Sequence, residues 1–391
     1  MRRIFLLITV CFSVAASMPQ VFAQESATTA DAASAQISQI YETAKVIDIG
    51  AETQDTPYGY QRITQPATML ITGGPDAGQR INIQNYIMQN QSSIRLSKGE
   101  SVVLIKTIQQ DGSATYSVSD QYRIPTLVWL TLIFIGCTIL FGGFAGLTSL
   151  IGLGMSVLVL FLYVIPRIIA GDSPLLTCLI AAVLIACTSL YLAHGFNRRI
   201  SVALLSTIVT LAIAFIVDII FVYMAQLTGI SSEEALFLQV GSLAHLDMRG
   251  LLLGGIILGC LGVLDDVTTA QCAAVEEVSR ANPHLTPREL RKAGHSVGKE
   301  HIASLINTLV LAYVGASLPL LLLFKTQADA PVWITWNSQY IAEEIVRTLV
   351  GSLTLVLAVP ISTFFAIRLL RANPQQLKKS ASTNNIIMHK H

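Results

Sequence analysis

Seven apolar segments, each of about 20 residues, constrain the fold of this chain more than any other feature. They lie near 124–143, 146–166, 174–194, 200–228, 249–270, 302–324 and 347–370. A helix of this length crosses the hydrocarbon of a bilayer and satisfies its own backbone hydrogen bonds there. Hydrophobic residues make up 52% of the chain and charged residues only 13%, which is typical of a membrane protein. The sequence therefore predicts an α-helical polytopic membrane domain over 124–371, with about seven transmembrane helices.

The N-terminus has the pattern of a secretory signal peptide. Arg2 and Arg3 precede a short apolar core, and small residues stand at Val21 and Ala23. This order predicts a signal peptide over 1–23 with cleavage after Ala23. An uncleaved anchor is the alternative. Residues 24–40 are rich in Ser, Ala and Thr and read as a flexible linker.

Residues 41–123 have a different texture, with short alternating runs such as "ATMLITG" and "SVVLIKTIQQ" separated by turn residues. Alternation with turn chemistry between the runs indicates strands, and Asp111-Gly112 is a hairpin signal. We therefore expect a small exported β-barrel-like domain. It could serve as a spacer, or it could bind a ligand or a protein partner.

Basic residues predict the orientation of the helices. The clusters are Arg198 and Arg199, then Arg280, Arg288, Arg291, Lys292 and Lys299, and finally Arg368, Arg371, Lys378 and Lys379. All of these clusters fall on one side of the membrane if the N-terminal domain is outside. The positive-inside rule makes that side cytoplasmic. The tail 372–391 is then cytoplasmic as well. The net charge of +1 and the lack of a basic stripe interleaved with aromatic residues exclude nucleic acid as the expected partner. The lipid bilayer is the expected partner.

Two short helices are predicted outside the spans. The stretch 231–247 could be an interfacial helix, a re-entrant segment or a loop, and Glu233 and Glu234 favour the interfacial helix. Thr286-Pro287-Arg288-Glu289 is a capping box with proline at the first helical position, which predicts the start of a short cytoplasmic helix.

Span five carries two polar patterns. Gly255, Gly259, Gly262 and Asp266 share one helix face, and small residues at that spacing predict a closely packed helix seam. A second stripe is formed by Asp265, Thr268 or Thr269, Cys272 and Glu276. Asp265 lies about 24 Å below Arg249, near the inner edge of the hydrocarbon. The acids either line the cytoplasmic mouth of a path or simply mark where the helix reaches water.

Span six also carries polar residues at its cytoplasmic end. His301, Ser304, Asn307 and Thr308 follow one another at its entrance, and the last three share one face that could oppose the acid stripe. Helix-packing polar contacts are the alternative for Asn307. Asp218 in span four has apolar residues on both sides, so it needs a partner, a cavity or a proton. The predicted transport path comprises Asp218, Asp265, Asp266, Thr269, Glu276, His301, Ser304, Asn307 and Thr308.

The stretch "GCLGVLDDVTTAQCAAVEEV", followed by "NPHLTPREL" and "VGKEHIASLINTLVLAYVGASLPLLLLF", resembles the YibE/F family of bacterial multi-spanning membrane proteins. The resemblance is strong in the membrane region and weak in the exported domain. It implies a bacterial membrane location and this helical layout, and it carries over no substrate, cofactor or catalytic residue.

Two functions remain open from the sequence. The first is an ion- or proton-coupled permease or exporter of the plasma membrane, moving an unknown small solute or ion between spans five and six. The second is a non-catalytic anchor that displays the β domain to a protein partner. We expect no enzyme and no cofactor, because nucleotide and hydrolase motifs are missing and "GVLDD" lacks the glycine before Asp of intramembrane aspartyl proteases. A metal site is left undecided among Asp265, Asp266, Glu276, His284, His295 and His301.

Overall fold

A computed structural model describes residues 38–55, 62–88, 94–108, 113–241, 243–326 and 331–370. The chain divides into two compact units, with the boundary between Cys137 and Thr138. The predicted signal peptide, the linker up to residue 37, the Asp111-Gly112 turn and the tail 372–391 lie outside the described residues.

The N-terminal unit is an antiparallel sheet. Its strands are β1 (Ser38–Ile49), β2 (Thr53–Asp55), β3 (Arg62–Gly73), β4 (Arg80–Met88), β5 (Ser101–Ile108) and β6 (Ala114–Gln121). The order is β2-β3-β1-β5-β6, and β4 pairs with β3. The sheet is not closed, so the predicted barrel is not confirmed. The first strand also begins inside the segment predicted to be a linker.

Alternating burial along the strands builds the core of this unit. In β3 the side chains of Gln65, Ala67, Met69 and Ile71 are buried while their neighbours are less so. They pack with buried residues of β1 and β5 that alternate in the same way, as expected for a sheet with one covered face.

The second unit is helical, and the chain enters it along α1. The helices are α1 (Ile124–Val159), continued by a π-helical turn (Leu160–Val164) into α2 (Ile165–Ile169), then α3 (Pro174–His194), α4 (Arg198–Met224), α5 (Glu233–Val240), α6 (Met248–Ala281), α7 (Pro287–Ala316), α8 (Leu318–Thr326), α9 (Val332–Asn337) and α10 (Gln339–Leu370). The segment 231–247, for which the sequence favours an interfacial helix, contains α5. Ser232 caps this helix by accepting a hydrogen bond from the Ala235 amide.

Five helical segments of the described chain are long and apolar enough to cross a membrane: Ile124–Ile169, Pro174–His194, Arg198–Met224, Met248–Ala281 and Gln339–Leu370. The predicted number of seven is therefore not confirmed. Spans one and two fall within the first segment, which is interrupted by a non-helical backbone at Gly143 (φ 55°, ψ −136°). Span six falls on α7 and α8, and neither helix combines the length and the apolar character needed to cross a membrane.

The capping box at the start of α7 forms as the sequence predicts. The Thr286 hydroxyl accepts from the Glu289 amide at 3.3 Å, and the Glu289 carboxylate accepts from the Thr286 amide at 2.8 Å. The helix that it begins is not short, because α7 continues for 30 residues into the apolar segment. Gly294 and Gly298 leave room for α7 to pack closely against α6 and α10.

Helix α6 lies at the centre of the helical unit. It packs against α3, α4, α7 and α10, and α4 also packs against α10. The largest fully buried side chains of α6 include Leu253, Ile256, Ile257 and Leu264. This arrangement places the polar residues of α6 within reach of four other helices.

Candidate functional site

Asp218 is a fully buried carboxylate in the helical unit. It lies in the apolar part of α4, its exposed fraction is 0%, and the helix faces α6 and α10. Neither carboxylate oxygen has a hydrogen-bond partner among the described residues. An ionised carboxylate without partners is very costly in an apolar interior. Among the described residues, Asp218 therefore has no hydrogen-bond donor that would stabilise its charged form.

The side chains that interact electrostatically with Asp218 belong to two neighbouring helices. The buried Cys260 thiol of α6 interacts with Asp218 and with the hydroxyl of Thr354 on α10. Arg347, also on α10, is the cation whose charge acts on Asp218. Its guanidinium donates a hydrogen bond to the partly exposed Glu344 at 2.9 Å.

Tyr313 of α7 closes this polar cluster from a third side. A Cβ added to Gly259 would lie 3.4 Å from the Tyr313 hydroxyl oxygen, and one added to Gly351 would lie 3.8 Å from it. Tyr313 also interacts electrostatically with Cys260, Arg347 and Glu344. We refer to Asp218, Cys260, Tyr313, Glu344, Arg347 and Thr354 as the core cluster.

The acids of α6 lie in different surroundings. Asp265 is half-buried, its Oδ1 has no hydrogen-bond partner among the described residues, and the Ser189 hydroxyl of α3 interacts with its carboxylate. Asp266 is exposed on the single chain. Thr269 donates back to the Asp265 carbonyl at 2.8 Å. The two acids therefore differ, because Asp265 is directed into the helical unit and Asp266 is directed out of it.

Glu276 has ordinary cationic partners. Its carboxylate lies 2.9 Å from Arg280 on the same helix and 3.8 Å from Arg199 on α4. This places Glu276 in an ion-pair network, next to the basic cluster that the sequence assigns to the cytoplasmic side.

The polar residues of α7 lie on its exposed face. His301, Ser304, Asn307 and Thr308 are all exposed on the single chain. Close approaches of Gly294 to Val275 and of Gly259 to Tyr313 define an antiparallel register between α6 and α7. The register brings Ser304 to the level of Asp266, and both side chains are exposed on the single chain.

The glycines of α6 do not all have the same role. Gly254 is in close contact with α3, because a Cβ there would lie 2.6 Å from the Cys178 sulfur. Around Gly255 and Gly262 no described atom lies within 4 Å of an added Cβ. Of the predicted seam, only Gly259 approaches another helix in the described chain.

Several buried polar residues were not singled out by the sequence. Glu343 accepts from the Gly229 amide at 3.1 Å, from Gln339 Nε2 at 2.9 Å and from the Ser231 hydroxyl. Gln271 donates to the Gly294 carbonyl and to Thr363, both at 2.8 Å. Glu343 stands beside Glu344 and Gln271 closely follows two threonines, so neither has the apolar neighbours that single out Asp218 in the sequence.

The β unit contains a second charged cluster. Asp76 accepts hydrogen bonds from Lys106 and, at 2.5 Å, from the Tyr116 hydroxyl, and its amide donates to Glu42 at 3.1 Å. The hydrogen bond from Lys106, and then that from Tyr116, lower the pKa of Asp76. Burial raises the pKa of Tyr116. Together these contacts hold the turn between β3 and β4 against β1, β5 and β6.

No group of three or more His, Cys, Asp and Glu residues in the described part of the chain is arranged to hold a metal ion. His284 and His301 are exposed, and His295 is partly exposed. The six residues considered as metal ligands are thus not gathered into one site.

The helices and their buried acid define a polytopic helical membrane protein that carries an N-terminal antiparallel β unit. A family model described as YibE/F-like protein matches residues 130–372. The chain belongs to the YibE/F family. No curated protein and no solved structure matches it.

Proposed function

We propose that this chain is an ion- or proton-coupled permease or exporter of the bacterial plasma membrane. The observation that carries the proposal is Asp218, which is fully buried with both carboxylate oxygens unpartnered among the described residues. A buried structural acid is expected to receive donors, as Glu343 does. A residue that takes up and releases a proton or cation needs free oxygens.

The exposed polar residues of α6 and α7 support a path for the transported species. Asp266 and Ser304 lie at one level, and Gly262 and Thr308 lie further along, all of them exposed on the single chain. Polar side chains on the lipid-facing side of a span are costly, so these faces favour water, solute or another helix over lipid. Asp265 precedes Asp266 on α6, and Asp218 lies buried on α4, which packs against α6.

Proton and metal-ion flux into liposomes that contain purified protein tests the proposal. We expect the native protein to dissipate an imposed gradient, and Asp218→Asn and the double variant Asp265→Asn/Asp266→Asn to fall to the level of empty liposomes. Glu277→Gln is the matched control, because this exposed acid of α6 only approaches Arg280 at 3.7 Å. Equal flux in all four proteins, at matched amounts of folded protein, would remove these acids from any transport path.

A non-catalytic anchor is the second candidate, and the β unit favours it. This unit has its own core and an open groove of about 410 Å³ bordered by Asp48, Thr68, Asn82 and Gln84. Such a groove supports binding of a protein partner. Under this alternative the native protein gives no flux, and substitutions at Asp218 or Asp265 leave partner capture by the full chain unchanged.

A further inference from the structure

Two contacts between α4 and α6 fix the depth of Asp218 relative to other polar residues. The hydroxyl oxygens of Thr207 and Thr268, which we call the hydroxyl pair, lie 2.8 Å apart, and Arg199 approaches Glu276 at 3.8 Å. The eight residues from Arg199 to Thr207 match the eight from Thr268 to Glu276, so the two helices run antiparallel in one register. Asp218 is eleven residues, or about 17 Å, further along α4 than Thr207. Eleven residues make about three full turns, so both side chains leave α4 on the side that meets α6.

Buried polar side chains occupy the levels between Asp218 and the hydroxyl pair. We call the end of the helical unit that carries Arg199 and Glu276 the basic end, and the sequence predicts that it is cytoplasmic. In the register of α4 and α6, Cys260 lies about 4.5 Å from the level of Asp218 toward the basic end. Thr210 lies about 4.5 Å before the level of the hydroxyl pair.

Helix α10 contributes polar groups to the same interior. Gln271 of α6 donates to the Thr363 hydroxyl of α10 at 2.8 Å. Helices α6 and α10 run in the same direction, because α7 is antiparallel to both. Thr354, nine residues before Thr363, therefore lies at a level between Cys260 and Thr210. All of these side chains are buried, with exposed fractions of 3% or less.

These buried side chains, from Asp218 to Gln271, form what we call the polar row, and part of its hydrogen-bonding capacity is not used by the described residues. Both oxygens of Asp218, Oε1 of Gln271 and the hydroxyl groups of Ser352 and Ser362 on α10 are buried without a hydrogen-bond partner there. Buried polar atoms in proteins are nearly always hydrogen-bonded, and internal water supplies the partner where the protein does not. Water bound to these atoms would connect successive levels of the polar row.

Toward the opposite end, the buried interior around Asp218 is apolar. Val222 of α4 and Leu253, Ile256 and Ile257 of α6 lie at its level or beyond it, with exposed fractions of 2% or less. The buried neighbours of Asp218 on α4 and α6 are therefore polar only toward the basic end.

The titratable and charged side chains around Asp218 come from three helices. They are Cys260 and Asp265 on α6, Tyr313 on α7, and Glu344 and Arg347 on α10. Glu344 and Arg347 are partly exposed and pair with each other at 2.9 Å. Asp265 lies about three turns from Gly254 on the side of α6 that touches α3, away from the row. Thiol and phenol groups are ordinarily neutral near pH 7, so Asp218 is the acid of the polar row.

We propose that the polar row conducts protons between Asp218 and the basic end. Hydroxyl groups and water both donate and accept hydrogen bonds, so each takes up one proton and passes on another. The carboxylic acid of Asp218 becomes a carboxylate, and one proton leaves at the basic end. This inference rests on the proposed function, for which it names the proton as the coupling ion and the route by which it reaches Asp218.

Proton exchange at Asp218, measured without any gradient, tests the inference. Full-length protein in lipid nanodiscs is mixed into deuterated buffer, and infrared spectra follow the carboxylic-acid band that Asp218→Asn removes. We expect the deuterium shift of this band to be at least about 10-fold slower in the double variant Thr207→Val/Thr268→Val, because the proton loses a hydrogen-bonded partner at that level. Replacing both hydroxyl groups at once leaves neither without its partner, so the fold is retained.

Two variants control for packing. Thr207→Ser/Thr268→Ser keeps both hydroxyl groups and should exchange at the native rate. Thr188→Val removes a buried hydroxyl of α3 that donates to the Leu184 carbonyl at 2.8 Å, outside the polar row, and should also exchange at the native rate. An unchanged rate in the valine pair, equal slowing in Thr188→Val, or the lack of any carboxylic-acid band that depends on Asp218 would each overturn the inference.

The two proposals fail in different ways. Loss of liposome flux in Asp218→Asn, together with native exchange in Thr207→Val/Thr268→Val, would overturn the polar row and leave the transport proposal standing. Slowed exchange in that double variant, in a protein that moves nothing across liposomes, would instead retain the row and remove transport as its purpose.

Discussion

Two buried acids of the helical unit differ sharply in their surroundings. Glu343 receives donors from Gly229, Ser231 and Gln339, while Asp218 receives none in the described chain. Both are nearly inaccessible, at 2% and 0% exposure. Full satisfaction makes a buried polar group stabilising, and its lack leaves the desolvation cost uncompensated.

We predict that Glu343→Gln lowers the stability of the purified protein by about 1–3 kcal/mol, because one accepting oxygen becomes an amide that faces donors. Asp218→Asn should leave stability unchanged or slightly raised, because it removes a buried charge that lacks partners. Thermal and denaturant unfolding in the same detergent measure both. A loss for Asp218→Asn as large as that for Glu343→Gln would show that Asp218 is a structural residue.

Asp76 predicts a pH dependence in the β unit. Hydrogen bonds from Lys106, and then from Tyr116, hold the pKa of Asp76 below its usual range. A group with a lowered folded-state pKa stabilises above its ordinary value, which is about 3.9 for Asp, and that stabilisation is lost as the pH falls through the lowered pKa.

Asp76→Asn should therefore reduce amide protection of the turn at 74–79 at neutral pH, and the difference from the native chain should shrink below about pH 4. Hydrogen exchange of the full-length protein, expressed as protection factors, follows this. Asp48→Asn is the control, because Asp48 pairs with Lys98 at 3.2 Å on an exposed surface, where ion pairs contribute little. A difference that stays constant with pH would mean that ionisation of Asp76 is not involved.

At the scale of elements, the sequence predicts where a helix or strand begins better than it predicts which elements pack together. Alternation in "ATMLITG" gives β3, and the capping box gives the start of α7. The end of α7 and the presence of α8 do not follow, because the apolar run 302–324 looks the same whether it is one helix or two. The site shows the same limit. The apolar neighbours of Asp218 predict it as a site residue, but Glu344 and Arg347 do not follow from the sequence, because their surroundings depend on which face of α10 packs against α4, α6 and α7.

The contact between α3 and α6 illustrates that limit and can be tested. Periodicity selects Gly255, Gly259 and Gly262 as a seam, but the close approach to α3 is at Gly254. Two adjacent glycines thus differ only in what they face. Cys178 leaves no room for a methyl group at Gly254, since its sulfur would lie 2.6 Å away.

We predict that Gly254→Ala lowers stability by about 1–3 kcal/mol through overpacking. Gly255→Ala should be neutral or stabilising, because alanine is about 1 kcal/mol better than glycine in a helix. The thermal midpoints of the two purified variants decide this directly. If Gly255→Ala were the more damaging of the two, its face would be covered by a protein surface beyond the described chain.

For the whole molecule, the number of crossings fixes which loops share a side of the membrane. The segment Ile124–Ile169 has 46 residues, or about 69 Å of straight helix, more than twice the roughly 30 Å of hydrocarbon. At Gly143 the backbone leaves the helical region, and Gly146 comes into close contact with the Thr138 carbonyl. Such a contact requires a sharp turn of the chain. We therefore expect this segment to cross twice.

Cysteine labelling in intact cells tests this expectation. Lys98→Cys in the β unit, Ser173→Cys before α3 and His284→Cys before α7 would be placed singly in a chain with its six cysteines replaced. With two crossings by 124–169 and an exported β unit, an impermeant maleimide labels Lys98→Cys and Ser173→Cys outside, whereas His284→Cys reacts only after permeabilisation. Labelling of Lys98→Cys without Ser173→Cys would mean a single crossing. Labelling of His284→Cys in intact cells would contradict the orientation that the basic loops predict.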